Sequence, residues 1–338
     1  MSGSKRGSNA YEEAHADLER REQLWKVLAR GSSALLLTSP RDSRLVLRLR
    51  LERSLDSEPL RRAVERIFEP FAVRRERVND FAEYQPNLLT PMAVSDHGAE
   101  RVPFLTIEIK PKRCGSFERL SYRACDLFAN DLDLCRSALR SLLEGPQQLR
   151  KLLRLHWLHG EQCLSEAMQR FRAGSSLVDW MARVIQTSPA LARVHRVQQL
   201  HSCDHALVKR LFELERRRLL STPFGRRLRS GASRDERLSW FVGKTLDRRA
   251  AIWLVQNQSI IWSHIELSAA SEPGSDQFYA LYNLACIAND CSILIRIDEQ
   301  GFVIDHTIVD LDCKPFVLER ITRRASVYGR GLCPHEAG

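Results

Sequence analysis

The chain has 338 residues, and its 52 Lys and Arg side chains against 42 Asp and Glu give a formal net charge of +10. Nine cysteines without a C-x-x-C pair or dense regular spacing argue against a disulfide scaffold, so we expect reduced thiols and a cytoplasmic or nuclear location. The first residues lack an apolar secretion core and no run is long enough for a membrane span, so we expect a soluble protein of two domains or lobes.

The N-terminal part is predicted to be a mixture of helix and strand. Residues 1–10 have the composition of a flexible tail, and Tyr11–Arg30 is predicted to be a charged helical lead-in. The apolar runs Ala34–Leu37 and Arg44–Leu49 flank a Ser-Pro-Arg-Asp turn and are predicted to be strands. A helix is predicted over Pro59–Phe71.

The middle of the chain is predicted to be mainly helical. A strand is expected over Val102–Ile109, followed by helical periodicity from Asp131 to about Gly160 and again over Ser176–Leu220. The helices are expected to break near Gly145-Pro146 and Ser188-Pro189, because proline cannot continue a helix from within.

Near the C-terminus, the β-rich runs Ser292–Ile297 and Phe302–Val309 are separated by a D-E-Q-G turn and predict a hairpin. A four-residue turn would place Asp290 opposite the last residue of the second strand, and a three-residue turn would place it opposite Asp310. In either register Asp290, Asp310 and Asp312 lie at one end of the ribbon, where a divalent cation would offset their repulsion. Three solvated aspartates at a strand end would give the same spacing.

Lysine is rare in this chain: only eight of the 52 basic residues are lysines and 44 are arginines. Three of the eight, Lys110, Lys112 and Lys314, stand in the segments Glu108–Lys112 (EIKPK) and Asp310–Pro315 (DLDCKP). A compact ammonium and a planar guanidinium are not interchangeable at a tight phosphate site. Lysines and carboxylates together form the inventory of a phosphoryl-transfer site that holds Mg²⁺, a nucleotide and an anionic acceptor.

These segments also carry a family resemblance. Glu108–Lys112, followed by Cys114-Gly115, resembles the E-I-K-P-K-C-G signature of the inositol-pentakisphosphate 2-kinases. Other blocks are similar to that family and occur in its order, which is hard to obtain by chance. They are Trp25–Gly31 with the strand Leu45–Arg48, Tyr122–Phe128 leading into Ser137–Leu143 and Pro146–Arg150, Tyr282–Ser292, and Val309–Pro315.

The resemblance implies an α+β fold of two lobes like a kinase, with a β-containing N-lobe over residues 11–97. The C-lobe, over residues 98–328, would be mostly helical with a catalytic β-hairpin, and residues 329–338 would be a tail. It implies a kinase that uses ATP and Mg²⁺ to phosphorylate the 2-hydroxyl of inositol 1,3,4,5,6-pentakisphosphate, giving inositol hexakisphosphate (phytate).

The resemblance also implies residue roles. Asp290 would deprotonate the acceptor hydroxyl and Lys110 would contact the transferring phosphate. Asp310 would bind Mg²⁺ near the nucleotide phosphates, with Asp290 and Asp312 as further metal ligands. The remaining positions are substrate-binding Lys112, Lys314, Arg150, Gln147 and Gln148, and nucleotide-binding Gly31, Arg48 and His97.

The chain departs from the family pattern in four places, one of which is that Gln147 and Gln148 replace the paired asparagines. Ala29-Arg30-Gly31 replaces G-E-G in the nucleotide loop, which loses a glycine that lets the backbone approach phosphate. Asn289 replaces the lysine before D-C-S, and a substrate-binding segment after Gly115 is missing. The retained aspartates favour an enzyme over two alternatives, a catalytically impaired protein that binds inositol phosphates and a basic nucleic-acid-binding protein supported by charge alone.

Other features are interpreted more simply. We expect a monomer whose partner is a small inositol polyphosphate, with neither a membrane nor nucleic acid as partner. His201, Cys203 and His205 have zinc-ligand chemistry, but no fourth ligand is evident and a helix start explains them as well. His156-Trp-Leu-His159 is interpreted as packing at a helix end, because it has no partner base or nucleophile at a known spacing.

Overall fold

The protein is a mixed α/β structure with two antiparallel sheets and a helical body. The α+β class predicted from the sequence is confirmed, while the two-lobed arrangement stays a prediction. The computed structural model describes residues 26–30, 34–38, 45–50, 58–73, 76–77, 82–86, 104–112, 127, 131–144, 152–157, 176–201, 203–228, 232–259, 272–298, 300–313 and 316–328.

The first sheet has the strand order β1-β2-β3-β5-β4. Its members are β1 (Lys26–Arg30), β2 (Ala34–Thr38), β3 (Leu45–Arg50), β4 (Glu76–Arg77) and β5 (Ala82–Pro86). The predicted strands β2 and β3 are confirmed, and Leu35, Leu37 and Val46 bury their side chains. The helical lead-in is wrong over residues 26–30, because backbone pairing with β2 outweighs the local helical pattern there.

The second sheet has the order β7-β6-β8-β9, with β6 (Leu105–Ile109) and β8 (Ser292–Ile297) in the middle. Strand β7 (Leu153–Trp157) lies where the sequence predicted helix as far as Gly160, so that prediction is wrong here. The L-R-L-H-W pattern of β7 alternates apolar and polar residues, as strands with one buried face do. The edge strand β9 (Val303–Val309) completes the predicted hairpin.

At the turn the hairpin has the register of the predicted three-residue turn, with Ile297 opposite Val303, but the pairing differs from both predictions farther along the strands. Ser292 pairs with Val309, and a bulge between Arg296 and Ile297 shifts the pairing near the turn. The connection is closed by Asp298 N–H, which donates to the Phe302 carbonyl at 2.9 Å. Gly301 in this connection adopts a φ of 86°, a conformation that is unfavourable for residues with a side chain. A single bulge is enough to change every opposition beyond it.

Nine helices occur among the described residues. They confirm the helix predicted over Pro59–Phe71 and, among the described residues, the helical regions predicted from Asp131 as far as Glu144 and over Ser176–Leu220. They are α1 (Glu58–Phe68), α2 (Leu132–Glu144), α3 (Leu177–Gln186), α4 (Pro189–Gln199), α5 (His205–Ser221), α6 (Pro223–Arg227), α7 (Ala232–Asn257), α8 (Asp276–Asp290) and α9 (Leu318–Tyr328). The break at Ser188-Pro189 is a helix start, where Ser188 caps α4 by accepting from Leu191 N–H. Within the described part of the chain, no helix combines the length and apolar character that a membrane crossing requires.

Helix α8 is the centre of the core. All its residues from Phe278 to Ala288 are buried, and it packs against α7 and α4. Helix α1 packs against α7 and shares the same core through Val64 and Phe68. Residues 71–73 then run beside β9, where Ile308 N–H donates to the Phe71 carbonyl at 2.6 Å. The boundary near residue 97 stays a prediction, and α1, which precedes it, belongs to the core of the second sheet.

Candidate phosphoryl-transfer site

The Lys-Pro-Lys segment begins where the central strand β6 ends. Lys110 N–H donates to the Leu152 carbonyl at 2.8 Å, which continues the pairing beside β7 by one residue. Lys112 N–H donates to the Lys110 carbonyl at 2.8 Å, so the chain turns tightly around the buried Pro111. Both lysine side chains remain partly exposed, as a site for soluble anions requires.

Asp290 is the last residue of α8, and its position is tied to β6 through the strand that follows. Cys291 N–H donates to the Ile287 carbonyl at 2.9 Å and ends the helix. Strand β8 then pairs with β6, with Ile293 opposite Ile109. The end of α8 therefore lies at the same end of the sheet as the Lys-Pro-Lys segment.

A buried glutamine joins these two segments directly. Gln198, on α4, has no exposed surface, and its Nε2 donates to the Pro111 carbonyl. The same nitrogen lies 3.3 Å from the Ala288 carbonyl and 3.3 Å from Oδ1 of Asn289, the residue before Asp290. Gln198 therefore bridges the lysine segment and the helix end. Sequence reasoning missed it; the available signal was a polar side chain at an apolar position of a helical repeat.

Glu108 is an ionised carboxylate two residues before Lys110. Its Oε2 lies 3.0 Å from His156 Nε2 and its Oε1 accepts from Ser292 Oγ at 3.2 Å. Burial alone would raise the pKa of Glu108, but the His156 hydrogen bond and the charges of Lys110, His156 and Arg154 lower it below its usual value. The interpretation of His156 as helix-end packing is wrong, because the residue lies on strand β7 and contacts Glu108.

The D-L-D segment follows the end of β9. Asp310 is exposed and adopts a φ of 62°, a left-handed conformation that Asp tolerates better than most residues. Leu311 is buried beneath it, and Asp312 is partly buried. Since Ser292 pairs with Val309, Asp310 and Asp290 flank the same end of the hairpin, as predicted, although Asp290 belongs to a helix rather than to the ribbon.

Helix α7 holds the chain just after the D-L-D-C-K-P segment. Phe316 N–H donates to Oδ1 of the buried Asp247 at 2.9 Å. One turn earlier, a Cβ on Gly243 would lie 2.1 Å from the Phe316 carbonyl oxygen, so only glycine permits this close approach. These two contacts define where the segment with Asp310 and Asp312 ends.

A comparison with known families matches residues 113–324 to the model described as inositol-pentakisphosphate 2-kinase. The match covers more than half of the chain. The protein belongs to the inositol-pentakisphosphate 2-kinase family. No curated protein matches the chain.

Family membership indicates an inositol phosphate kinase, a transferase, and an inositol phosphate as its substrate. The matched range includes the helix end at Asp290 and the Asp310–Asp312 segment. The matched range begins one residue after Lys112. The EIKPK segment and the first sheet therefore lie outside the match, and their resemblance to the family depends on their own residues.

The three aspartates were predicted to be metal ligands. Across the ranges given above, no group of three or more His, Cys, Asp or Glu side chains is arranged to hold a metal ion. Mg²⁺ in kinases is commonly held by one or two carboxylates together with substrate phosphates, so Asp290 and Asp310 at one hairpin end suit that mode. The assignment of Asp290, Asp310 and Asp312 as metal ligands stays a prediction.

Several predicted site residues lie outside the described residues: Gly31, His97, Gln147, Gln148, Arg150 and Lys314. Arg48 is described only by its backbone, on β3 opposite Leu36 of β2 and Glu83 of β5. The nucleotide side of the site therefore stays a prediction at residue level.

The possible zinc ligands have other partners. His201 Nδ1 accepts from Cys203 N–H at 2.9 Å, and His205 Nδ1 lies 2.8 Å from the Tyr282 hydroxyl. Burial lowers the pKa of His201 to about 4 and that of His205 to about 4, so both are neutral. The arrangement is a buried hydrogen-bonded start of α5, the alternative that the sequence had left open.

Proposed function

We propose that this protein is an ATP- and Mg²⁺-dependent kinase that phosphorylates the 2-hydroxyl of inositol 1,3,4,5,6-pentakisphosphate. The product would be inositol hexakisphosphate. The observation that carries the proposal is the bridge by Gln198, which joins the Lys110–Lys112 segment to the helix end with Asp290. The bridge supports a site in which a cation for the transferring group and a base for the acceptor would be held on one support.

In the proposed reaction, Asp290 accepts the proton of the 2-hydroxyl as its oxygen attacks the γ-phosphorus of ATP. The bond between that phosphorus and the β,γ-bridging oxygen breaks, and ADP leaves. Lys110 neutralises charge on the transferring phosphoryl group, which is the main demand of such a transition state. When bound, Mg²⁺ would be held by Asp310 and would neutralise the nucleotide phosphates.

The other side chains would bind the two anions. Lys112, Lys314, Arg150, Gln147 and Gln148 would hold the ring phosphates of the acceptor. A net charge of +10 would favour encounter with such a polyanion. We also propose that the protein acts as a monomer in the cytoplasm or nucleus.

The first sheet would belong to the smaller lobe of a two-lobed kinase, and the nucleotide would lie against it. Strands β1 and β2 pair antiparallel, with Arg30 opposite Leu35, so Gly31 falls in the connection between them. Kinases cover the nucleotide phosphates with a glycine-containing loop, and this position supports that role for Gly31. Arg48 and His97 would complete the nucleotide side.

The test is transfer of labelled γ-phosphate from ATP to inositol 1,3,4,5,6-pentakisphosphate by the purified protein, with NMR assignment of the new phosphate. Asp290→Asn should lower kcat by ~10²–10⁴-fold, as expected for loss of a positioned base. The matched control is Asp276→Asn, at the other end of the same helix, which should retain the wild-type kcat. Equal rates for Asp290→Asn and the wild type would reject Asp290 as the base.

A second candidate is an inositol-phosphate-binding protein without catalysis, favoured by Ala29-Arg30 in place of the glycine and glutamate of the family loop. It predicts calorimetric binding of the inositol phosphate without ADP formation. A nucleic-acid-binding protein would instead show affinity that falls steeply with salt and is indifferent to Asp290→Asn.

A further inference from the structure

An arginine from a separate helix contacts the proposed base. Nη2 of Arg324, on α9, donates to Oδ2 of Asp290 at 2.6 Å. The two side chains are only 17% and 31% exposed, so the contact is partly shielded from water. A charge-assisted hydrogen bond of this length is among the stronger interactions that a carboxylate makes.

Arg324 is itself fixed by buried groups. Its side chain hydrogen-bonds Tyr282, whose hydroxyl lies 2.8 Å from His205 Nδ1. Tyr282 and His205 are both buried. Burial lowers the pKa of Arg324, but Cys286, Asp290 and Tyr282 together raise it by more, so the guanidinium keeps its charge. A chain of contacts therefore runs from His205 through Tyr282 and Arg324 to Asp290.

The place of Asp290 in its helix explains why a cation is needed there. A carboxylate at the last residue of a helix faces the negative end of the helix dipole, which is unfavourable. The last turn of α8 contains no basic residue, and the residue before Asp290 is the neutral Asn289. The compensating charge comes from α9 instead.

We infer that Arg324 is a positioning residue that holds the Asp290 carboxylate in its working orientation. The inference rests on the proposed function, in which Asp290 is the base. Orientation matters because small displacements of a reacting group are costly: a shift of about 1 Å can lower the rate by ~10²-fold. Arg324 would thus act on the rate through Asp290, without contacting the substrate.

The test uses full-length Arg324→Gln and Arg324→Lys. Arg324→Gln should lower kcat by ~10²-fold while KM for the inositol phosphate changes little. Arg324→Lys should recover part of the lost kcat, because an ammonium restores the charge without the fork geometry. In an Asp290→Asn background, Arg324→Gln should lower kcat no further, because the two residues act as one unit.

The matched control is Arg249→Gln. Arg249 Nε donates to Asp276 Oδ1 at 2.6 Å, so it makes an equally short arginine–aspartate pair at the opposite end of α8. This variant should keep the wild-type kcat. A loss of thermal stability in Arg324→Gln with kcat unchanged would overturn the inference, as would a raised KM with unchanged kcat, which would indicate a phosphate-binding residue.

Failure of the proposed function gives a different result. A wild-type protein that forms no product contradicts the kinase proposal. The interaction between Arg324 and Asp290 is then tested by urea unfolding. Non-additive shifts of the unfolding midpoint for Arg324→Gln and Asp290→Asn would support the link between the two side chains. Additive shifts would overturn it.

Discussion

The first sheet and the core around α8 preserve the family pattern to different degrees. The core carries Asp290 at the end of α8, a helix that is buried along most of its length and lies inside the family match. The first sheet lies outside that match, and its loop position has Ala29-Arg30 where the family has glycine and glutamate. Both regions depart from the family pattern, because Asn289 replaces the lysine before D-C-S in α8 and Ala29-Arg30 replaces the glycine and glutamate of the loop.

After Asp290→Asn, the largest effect should come from Lys110, which the proposal places at the transferring phosphate. Lys110→Arg should lower kcat by ~10²–10³-fold, because a guanidinium cannot replace a compact ammonium at the transferring phosphate. Steady-state kinetics with the labelled-ATP assay measures it. Lys244→Arg, on α7 over the Trp240 ring, is the control and should keep the wild-type kcat. Comparable kcat values for Lys110→Arg and Lys244→Arg would reject the role of Lys110 at the transferring phosphate.

Acid should destabilise the core through its buried histidines. The folded-state pKa of His201 and of His205 is about 4, below the ordinary 6.5, so the unfolded chain binds protons first. Their contribution is complete above pH 6.5 and is lost as the pH falls toward 4, by up to about 3 kcal/mol for each.

Urea unfolding at several pH values measures this effect. His205→Gln should show a shallower loss of unfolding free energy between pH 6.5 and 4 than the wild type. An identical pH dependence in the two proteins would show that His205 does not titrate in this range on unfolding.

Cutting the bridge between the lysine segment and α8 should affect stability and rate together. Gln198→Leu removes a buried donor from the Pro111 and Ala288 carbonyls, which should cost about 1–3 kcal/mol in unfolding free energy. We also expect a lower kcat at unchanged KM. The neighbouring Gln199→Leu, on the exposed side of α4, should change neither quantity. A wild-type kcat in Gln198→Leu would show that the bridge made by Gln198 is not needed for catalysis.

The smallest effect should come from restoring the family loop. Ala29→Gly combined with Arg30→Glu should lower KM for ATP by up to about fivefold, on the scale of one additional hydrogen bond. KM for the inositol phosphate should not change. A KM for ATP that rises would mean that the nucleotide side has adapted to the altered loop.

Local patterns predicted the parts of the fold that depend on nearby residues. The strands β2, β3 and β6, the helices α1 and α4 and the terminal hairpin were all anticipated from periodicity and turn residues. Strand β7 was not anticipated, because its five residues follow a helical stretch and adopt the extended conformation only by pairing with β6. The three-residue turn of the hairpin was anticipated, but the predicted pairing of Asp290 with Asp310 was wrong, because the bulge between Arg296 and Ile297 has no local signature.

The sequence by itself determined the chemical inventory: rare lysines in EIKPK and DLDCKP, aspartates beside a hairpin, and block order typical of a family that the match confirms. Tertiary structure alone decided which groups meet. Gln198 contacts Pro111 across 87 positions and Arg324 contacts Asp290 across 34. Such pairs leave no periodic trace in a single sequence, because they arise only when separate helices pack around one buried core.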